Sequence, residues 1–289
     1  RPPTIKEYPL GRAFPAHSGI VSSRTSWNQK DAACVVVGKA GHGGVNHTHP
    51  DAGQVTIRGF GRRLIRDLGK VGYPEKAKRY FYHFNTSGHN VLTFDRHELL
   101  WDGNHRARIV QSKFDNAWGS SWMIDTTELY EHAKSVRRQV VHRYPGVIAV
   151  LDEACFDRRG EIRVRWHPER EAAPDVDGHV EIRNDDITLS GRIVALDGHK
   201  LTLSTGRHVY SQPHNRDRMG SPLPERNEPF FDAHVESDTC RILSLFAVYS
   251  PEGCPRRWVA SDGGWRVETE NGEARVDVGP EGLCLTADT

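Results

Sequence analysis

Histidines and carboxylates crowd residues 45–54, VNHTHPDAGQ, where His47, His49 and Asp51 stand two positions apart. In an extended chain such residues share a face, and neutral imidazoles with a carboxylate are a donor set for zinc. The chain then runs through an alternating strand, turns near Gly59, Phe60 and Gly61, and returns to Asp67. An antiparallel hairpin of that kind sets Asp67 roughly opposite Gln54, beside the histidine loop. His89 opens the stretch HNVLTF. Two imidazoles and one carboxylate, completed by water or another group, would hold a tetrahedral ion. The alternative is an ordinary polar loop: in a chain with 16 histidines H-x-H also arises by chance, and polar residues mostly face water. Pro50 sets the loop at a strand edge rather than inside a sheet. Neither of two other chemistries that share H-x-H-x-D fits. Metallo-β-lactamases carry a histidine directly after the aspartate, where Ala52 stands, and amidohydrolases need helices between strands.

The elements that must position these residues are strands. Alternation recurs in QVTIR (54–58), EIRVRW (161–166), VEIR (180–183), KLTLS (200–204) and RILSLF (241–246), and VIAVL (147–151) is continuously apolar. Turn signals at Asp157 to Gly160, Asp197–Gly198 and Glu252–Gly253 separate them. The expected fold is all-β, an antiparallel β-sandwich or stacked super-sandwich. The best helical candidate, residues 128–134, is short and reads as a strand with a turn. Residues 211–229, rich in Pro, Arg and Asn, form a long loop or weak boundary. We therefore expect a β-sandwich with the metal site over 1–215 and late β strands or a small β unit over 216–289.

A length of 289 residues suffices for a substantial core without disulfides or metal. Thirty-nine basic residues balance thirty-eight acidic ones, which leaves no overall basic field for nucleic acid. The apolar runs are too short to span a bilayer as helices. Five scattered cysteines without a C-x-x-C pair argue against a cysteine-only zinc site and fit buried thiols or one or two bridges. The chain opens at Arg1 with no leader pattern, as a processed product or a piece of something longer would. Arg62, Arg63, Arg66, Arg137 and Arg138 alternate with apolar residues as solvated sheet faces do. Trp118 and Trp122 suit core or edge packing, with sugar stacking as the alternative.

Taken together, H47-x-H49-x-D51, the hairpin, Asp67-Leu68-Gly69 followed by Tyr73, SGHNVL (87–92), and Val136-Arg137-Arg138 leading into YPGVIAVLDE (144–153) resemble the C-terminal β-sheet module of the heparinase II/III-like polysaccharide lyases, which are related to alginate and oligo-alginate lyases. The resemblance runs from about Arg24 to about Ser204. It implies zinc held by His49, Asp67 and His89, a catalytic His47 just outside that set, Tyr73 for a second proton transfer, with a core tyrosine as the alternative, and Arg24 at the substrate, with a strand-edge charge as the alternative. It also implies β-elimination on an anionic polysaccharide or oligosaccharide, in the periplasm or outside the cell. Members carry an N-terminal α/α toroid that supplies part of the active site, and nothing here is helical enough to be one. A carbohydrate-binding or scaffold module without turnover, and a uronyl C5-epimerase, are the alternative functions. Asp51 stays open between a hydrogen bond to a ligand histidine and loop capping.

Overall fold

A computed structural model describes residues 8–16, 19–28, 32–69, 82–209, 227–280 and 282–284. The first strands are β1 (Gly11–Phe14), β2 (Ile20–Arg24), β3 (Val35–Lys39), β4 (Gly41–His42), β5 (Val55–Gly59) and β6 (Arg62–Ile65). A middle group follows: β7 (Leu92–Phe94), β8 (Arg106–Asp115), β9 (Gly119–Asp125), β10 (Ala133–Arg143), β11 (Val147–Trp166), β12 (His179–Asn184), β13 (Ile187–Ala195), β14 (Thr202–Val209) and β15 (Asn227–Tyr249). The last are β16 (Val259–Ser261), β17 (Gly264–Thr269), β18 (Gly272–Gly279) and β19 (Gly282–Cys284). Only short 3-10 turns interrupt them among the described residues, one of which, Thr127–Leu129, precedes β10 where a strand with a turn is expected. The fold is all-β and antiparallel. No described helix is long and apolar enough to cross a membrane.

Three sheets stack. A five-stranded sheet in the order β1-β2-β3-β5-β6 lies on a ten-stranded one whose path is β12-β13-β15-β11-β10-β9-β8-β4, and β16 to β19 form the third. The apolar run in β11 explains the stacking, because adjacent residues on a strand point to opposite faces. Ile148 and Val150 join Val36, Ile57, Leu64 and Trp122 in one core. Ala149 and Leu151 join Leu243, Leu245, Trp258, Val267 and Val276 in the other. The middle sheet is thus buried on both sides, and a continuous apolar strand is the pattern that such burial demands.

The two larger sheets approach closely at Gly38, where a β-carbon would come within 2.8 Å of Trp122 Nε1. Trp122 is therefore core. Cys34, Cys155, Cys240 and Cys254 are free thiols. The boundary expected at 215/216 lies outside the described residues, and β15, which comes after it, runs beside β11 in the middle sheet.

Candidate metal and catalytic site

The β5–β6 hairpin folds at Phe60 and Gly61 and pairs Ile57 with Ile65, as the alternation predicts. Beyond that pair the strands diverge, and Gln54 Nε2 donates to Asp67 Oδ2 across the gap. Asp67 Oδ1 accepts the Gly69 amide at 2.6 Å. His89 is fully buried, with Nδ1 3.1 Å from Gln54 Oε1 and 3.2 Å from Asp67 Oδ2. Burial pushes the Asp67 carboxyl up, but hydrogen bonds from His89, Gln54 and the Gly69 amide outweigh it and hold the group well below the usual carboxylate range.

The loop before the hairpin is not extended, so the shared-face expectation fails there. His47 takes a left-handed φ of 63° and is exposed. Turns bonded from the Asp51 amide to the His49 carbonyl (2.8 Å) and from the Gln54 amide to the Asp51 carbonyl (3.0 Å) bend the chain and carry Asp51 inward. There one ligand atom from each of Asp51, Asp67 and His89 lies within 4.8 Å of the other two. Lys39 forms an ion pair with Asp51. The His49 ring stands beside the cluster, 5.3 Å from the His89 ring and edge-on to Phe84 at 4.8 Å. Burial, and then the charge of His89, lowers the His49 pKa, which favours the neutral, ligating form.

The donors present fit a cation. His89 Nδ1 faces two acceptors, and Nε2 is buried with no hydrogen-bond partner. A neutral ring has one N–H and one lone pair. With the proton on Nε2, the buried Nδ1 lone pair faces two acceptors and lacks a donor, which is rare in folded proteins and which a metal ion between Nδ1 and Asp67 would remedy. Ligand atoms about 2.0–2.1 Å from zinc sit roughly 3.3 Å apart in a tetrahedron, close to the 3.2 Å between Asp67 and His89.

Behind the cluster, Asn90 Nδ2 donates to the carbonyls of Val55 (2.9 Å) and Arg66 (3.0 Å), joining the hairpin to the His89 segment. Arg138 corrects the expectation of a solvated face. It is 2 % exposed, pairs with Asp152, and donates to the carbonyls of Gly53 and Asn90. Its Val136-Arg137-Arg138 spelling carries no sign of that role, since strand alternation exposes or buries Arg138 according to whether the far face is covered. Arg66 is likewise largely buried and bridges Glu169 and Glu228.

Arg24 ends β2, donates to Ser22 Oγ at 2.7 Å and lies over the Trp27 ring at 4.2 Å. It lines a cleft of about 420 Å³ with Lys39, Arg58, Gln54 and Asp67, so it shares one surface with the cluster. Tyr73 lies outside the described residues.

The family model for heparinase II/III-like proteins, C-terminal, matches residues 12–239. Among solved structures, a heparan sulfate lyase of Pedobacter heparinus superposes with a TM-score of 0.72 at 19% identity, over 93% of this chain and 42% of that one. A heparinase III aligns with a TM-score of 0.69 at 15% identity, over 95% of this chain and 43% of that one. At these identities the likeness is one of fold, and this chain spans less than half the length of either structure. Comparison with curated proteins finds no match.

Proposed function

The chain belongs to the heparinase II/III-like family through its C-terminal module, and we propose that it is the β-sandwich part of a polysaccharide lyase cleaving uronic-acid glycans by β-elimination. The observation that carries this reading is the position of His47. It is exposed, two residues before His49, on the loop whose far end delivers Asp51 to the buried cluster with Asp67 and His89.

His49, Asp67 and His89 would hold zinc, with Asp51 as a fourth donor. Four protein donors make a closed, structural site rather than a hydrolytic one, and the ion would tie the loop, the hairpin and the His89 segment together. His47 then has a fixed base to work from. In β-elimination the C5 proton is removed, its electron pair forms the C4–C5 double bond, and the C4–O4 bond breaks as the leaving oxygen gains a proton. His47 serves as the base or as the donor that polarises the neighbouring carboxylate. Tyr73 serves the other proton transfer, and Arg24, on the cleft that reaches Asp67, neutralises a substrate carboxylate. The remaining groups come from an α/α toroid, as the shared length with the lyase structures suggests. A periplasmic or secreted location follows from such substrates.

The test is to incubate the full-length natural protein with alginate, heparan and chondroitin and follow the ultraviolet absorbance of unsaturated uronate. Rising absorbance with one of them is the expected result. Tight binding of all three with no absorbance would end the lyase reading for those glycans.

A further inference from the structure

Two segments diverge from one short strand pair. β4 meets β8 at Gly41 with Ala107 and at His42 with Arg106. Past β4 the chain enters the loop that carries His47, and Trp101 to His105 lead into β8. The two backbones touch: a β-carbon on Gly43 would collide with the Trp101 carbonyl, and one on Gly44 would stand 3.0 Å from the Gly103 α-carbon. Only glycine admits so close an approach.

Trp101 joins the two segments by a polar contact as well. Its indole Nε1–H donates to Thr48 Oγ1 at 3.3 Å, and the Thr48 hydroxyl donates in turn to the Val45 carbonyl at 2.9 Å. The bond from Thr48 back to Val45 spans Asn46 and His47. Inside that turn His47 takes its left-handed φ of 63°, a conformation that a residue other than glycine keeps only where its surroundings impose it. The Trp101 ring also lies 5.6 Å from Lys39 Nζ, whose partner Asp51 stands at the far end of the loop.

The segment that bears Trp101 is itself anchored. The Leu99 amide donates to Thr86 Oγ1 at 3.0 Å, and the Thr86 amide donates to Glu98 at 2.6 Å. The Thr86 carbonyl accepts the His89 amide at 3.1 Å, and the Leu100 amide donates to the Leu129 carbonyl at 2.9 Å. The indole therefore reaches the His47 turn from a segment tied to the backbone of His89. We propose that Trp101 is a positioning residue for His47: its N–H holds, through Thr48, the turn that presents the imidazole. The proposal rests on the elimination proposed above, in which His47 is the reacting group.

Three substitutions test it. Trp101→Phe keeps a ring and removes the N–H, Thr48→Val removes the oxygen that the N–H meets, and Thr48→Ser keeps that oxygen. In the full-length natural protein, Trp101→Phe and Thr48→Val are each expected to lower kcat about three- to tenfold, the scale of one lost hydrogen bond. KM and zinc content are expected to stay the same, and Thr48→Ser to keep the wild-type kcat. Because Trp101 acts through Thr48, the double variant is expected to lose no more than Thr48→Val alone. In this chain, the backbone order parameter of His47 from nitrogen-15 relaxation is expected to fall from about 0.85 to below about 0.6 in Trp101→Phe and Thr48→Val, with His89 unchanged. Losses that multiply in the double variant overturn the proposal. So does an unchanged His47 order parameter in Trp101→Phe, or a looser His47 with wild-type kcat. Absence of unsaturated product from the wild-type protein sinks the lyase reading alone, and the order parameters still decide whether Trp101 holds His47.

Discussion

Arg138 and Asp152 form a buried ion pair, at 2.7 and 2.9 Å, between neighbouring strands of the middle sheet. The same guanidinium reaches the carbonyls of Gly53 and Asn90, on the two segments that bring Asp51 and His89 together. The pair thus anchors the cluster from behind.

Removing one partner leaves the other charge buried and unpaired, which typically costs about 3–5 kcal/mol. Asp152→Ala is expected to lower stability by that amount in chemical denaturation and to weaken zinc binding. A loss below about 1 kcal/mol, the scale of an exposed pair, would show that the anchor is not there.

Zinc binding should stabilise the fold through mass action, by about 2.7 kcal/mol at a hundredfold excess over Kd. Metal-stripped chain is expected to melt higher when zinc is restored, and His89→Ala and Asp67→Ala to abolish that rise. His49→Ala should weaken zinc by at least about tenfold, since second partners alone are often worth that much. Stoichiometric zinc in the His89→Ala protein, measured by elemental analysis, would refute the site.

His47 sits at a left-handed φ, a conformation that asparagine tolerates better than most residues. His47→Asn therefore tests chemistry without backbone strain. In the full-length protein, elimination should fall by about 10²–10⁴-fold, with zinc content and melting temperature unchanged. Wild-type turnover in this variant would remove His47 from the reaction.

His142 is fully buried, with Nδ1 2.8 Å from Ser23 Oγ on the facing sheet. Burial pushes its pKa down to about 3. The unfolded chain therefore takes up a proton near pH 6.5 that the folded one refuses. Stability from this group is complete above about pH 6.5 and declines as pH falls toward 3, by a few kcal/mol in all. His167, also fully buried with a lowered pKa, adds to the same slope. Denaturation midpoints between pH 7 and 4.5 should drop less steeply in His142→Asn than in wild type. Parallel slopes would mean that His142 is not the source.

Strand alternation carried most of the fold, because the period of two survives wherever one face is wet. The hairpin at Phe60 and the Gln54–Asp67 opposition were legible for that reason. Asp51 was harder: its burial depends on two loop turns that no periodicity encodes. The burial of Arg138 and the Arg163–Asp232–Arg165 array are not legible in the sequence: the first depends on a covered far face, and in the second the acid and its bases are 67 and 69 residues apart and are joined by the strand pairing of β11 with β15.

The second apolar face of the middle sheet has a practical side for anyone expressing pieces of this protein. A product stopped after Tyr249 would keep β11 and β15 but lose Trp258, Val267 and Val276, leaving Val141, Ala149, Leu151, Leu243 and Leu245 uncovered. A contiguous strip of that kind is an aggregation hazard. The sequence beyond β15 is therefore needed for a soluble product, even though none of its described residues joins the cluster around His89.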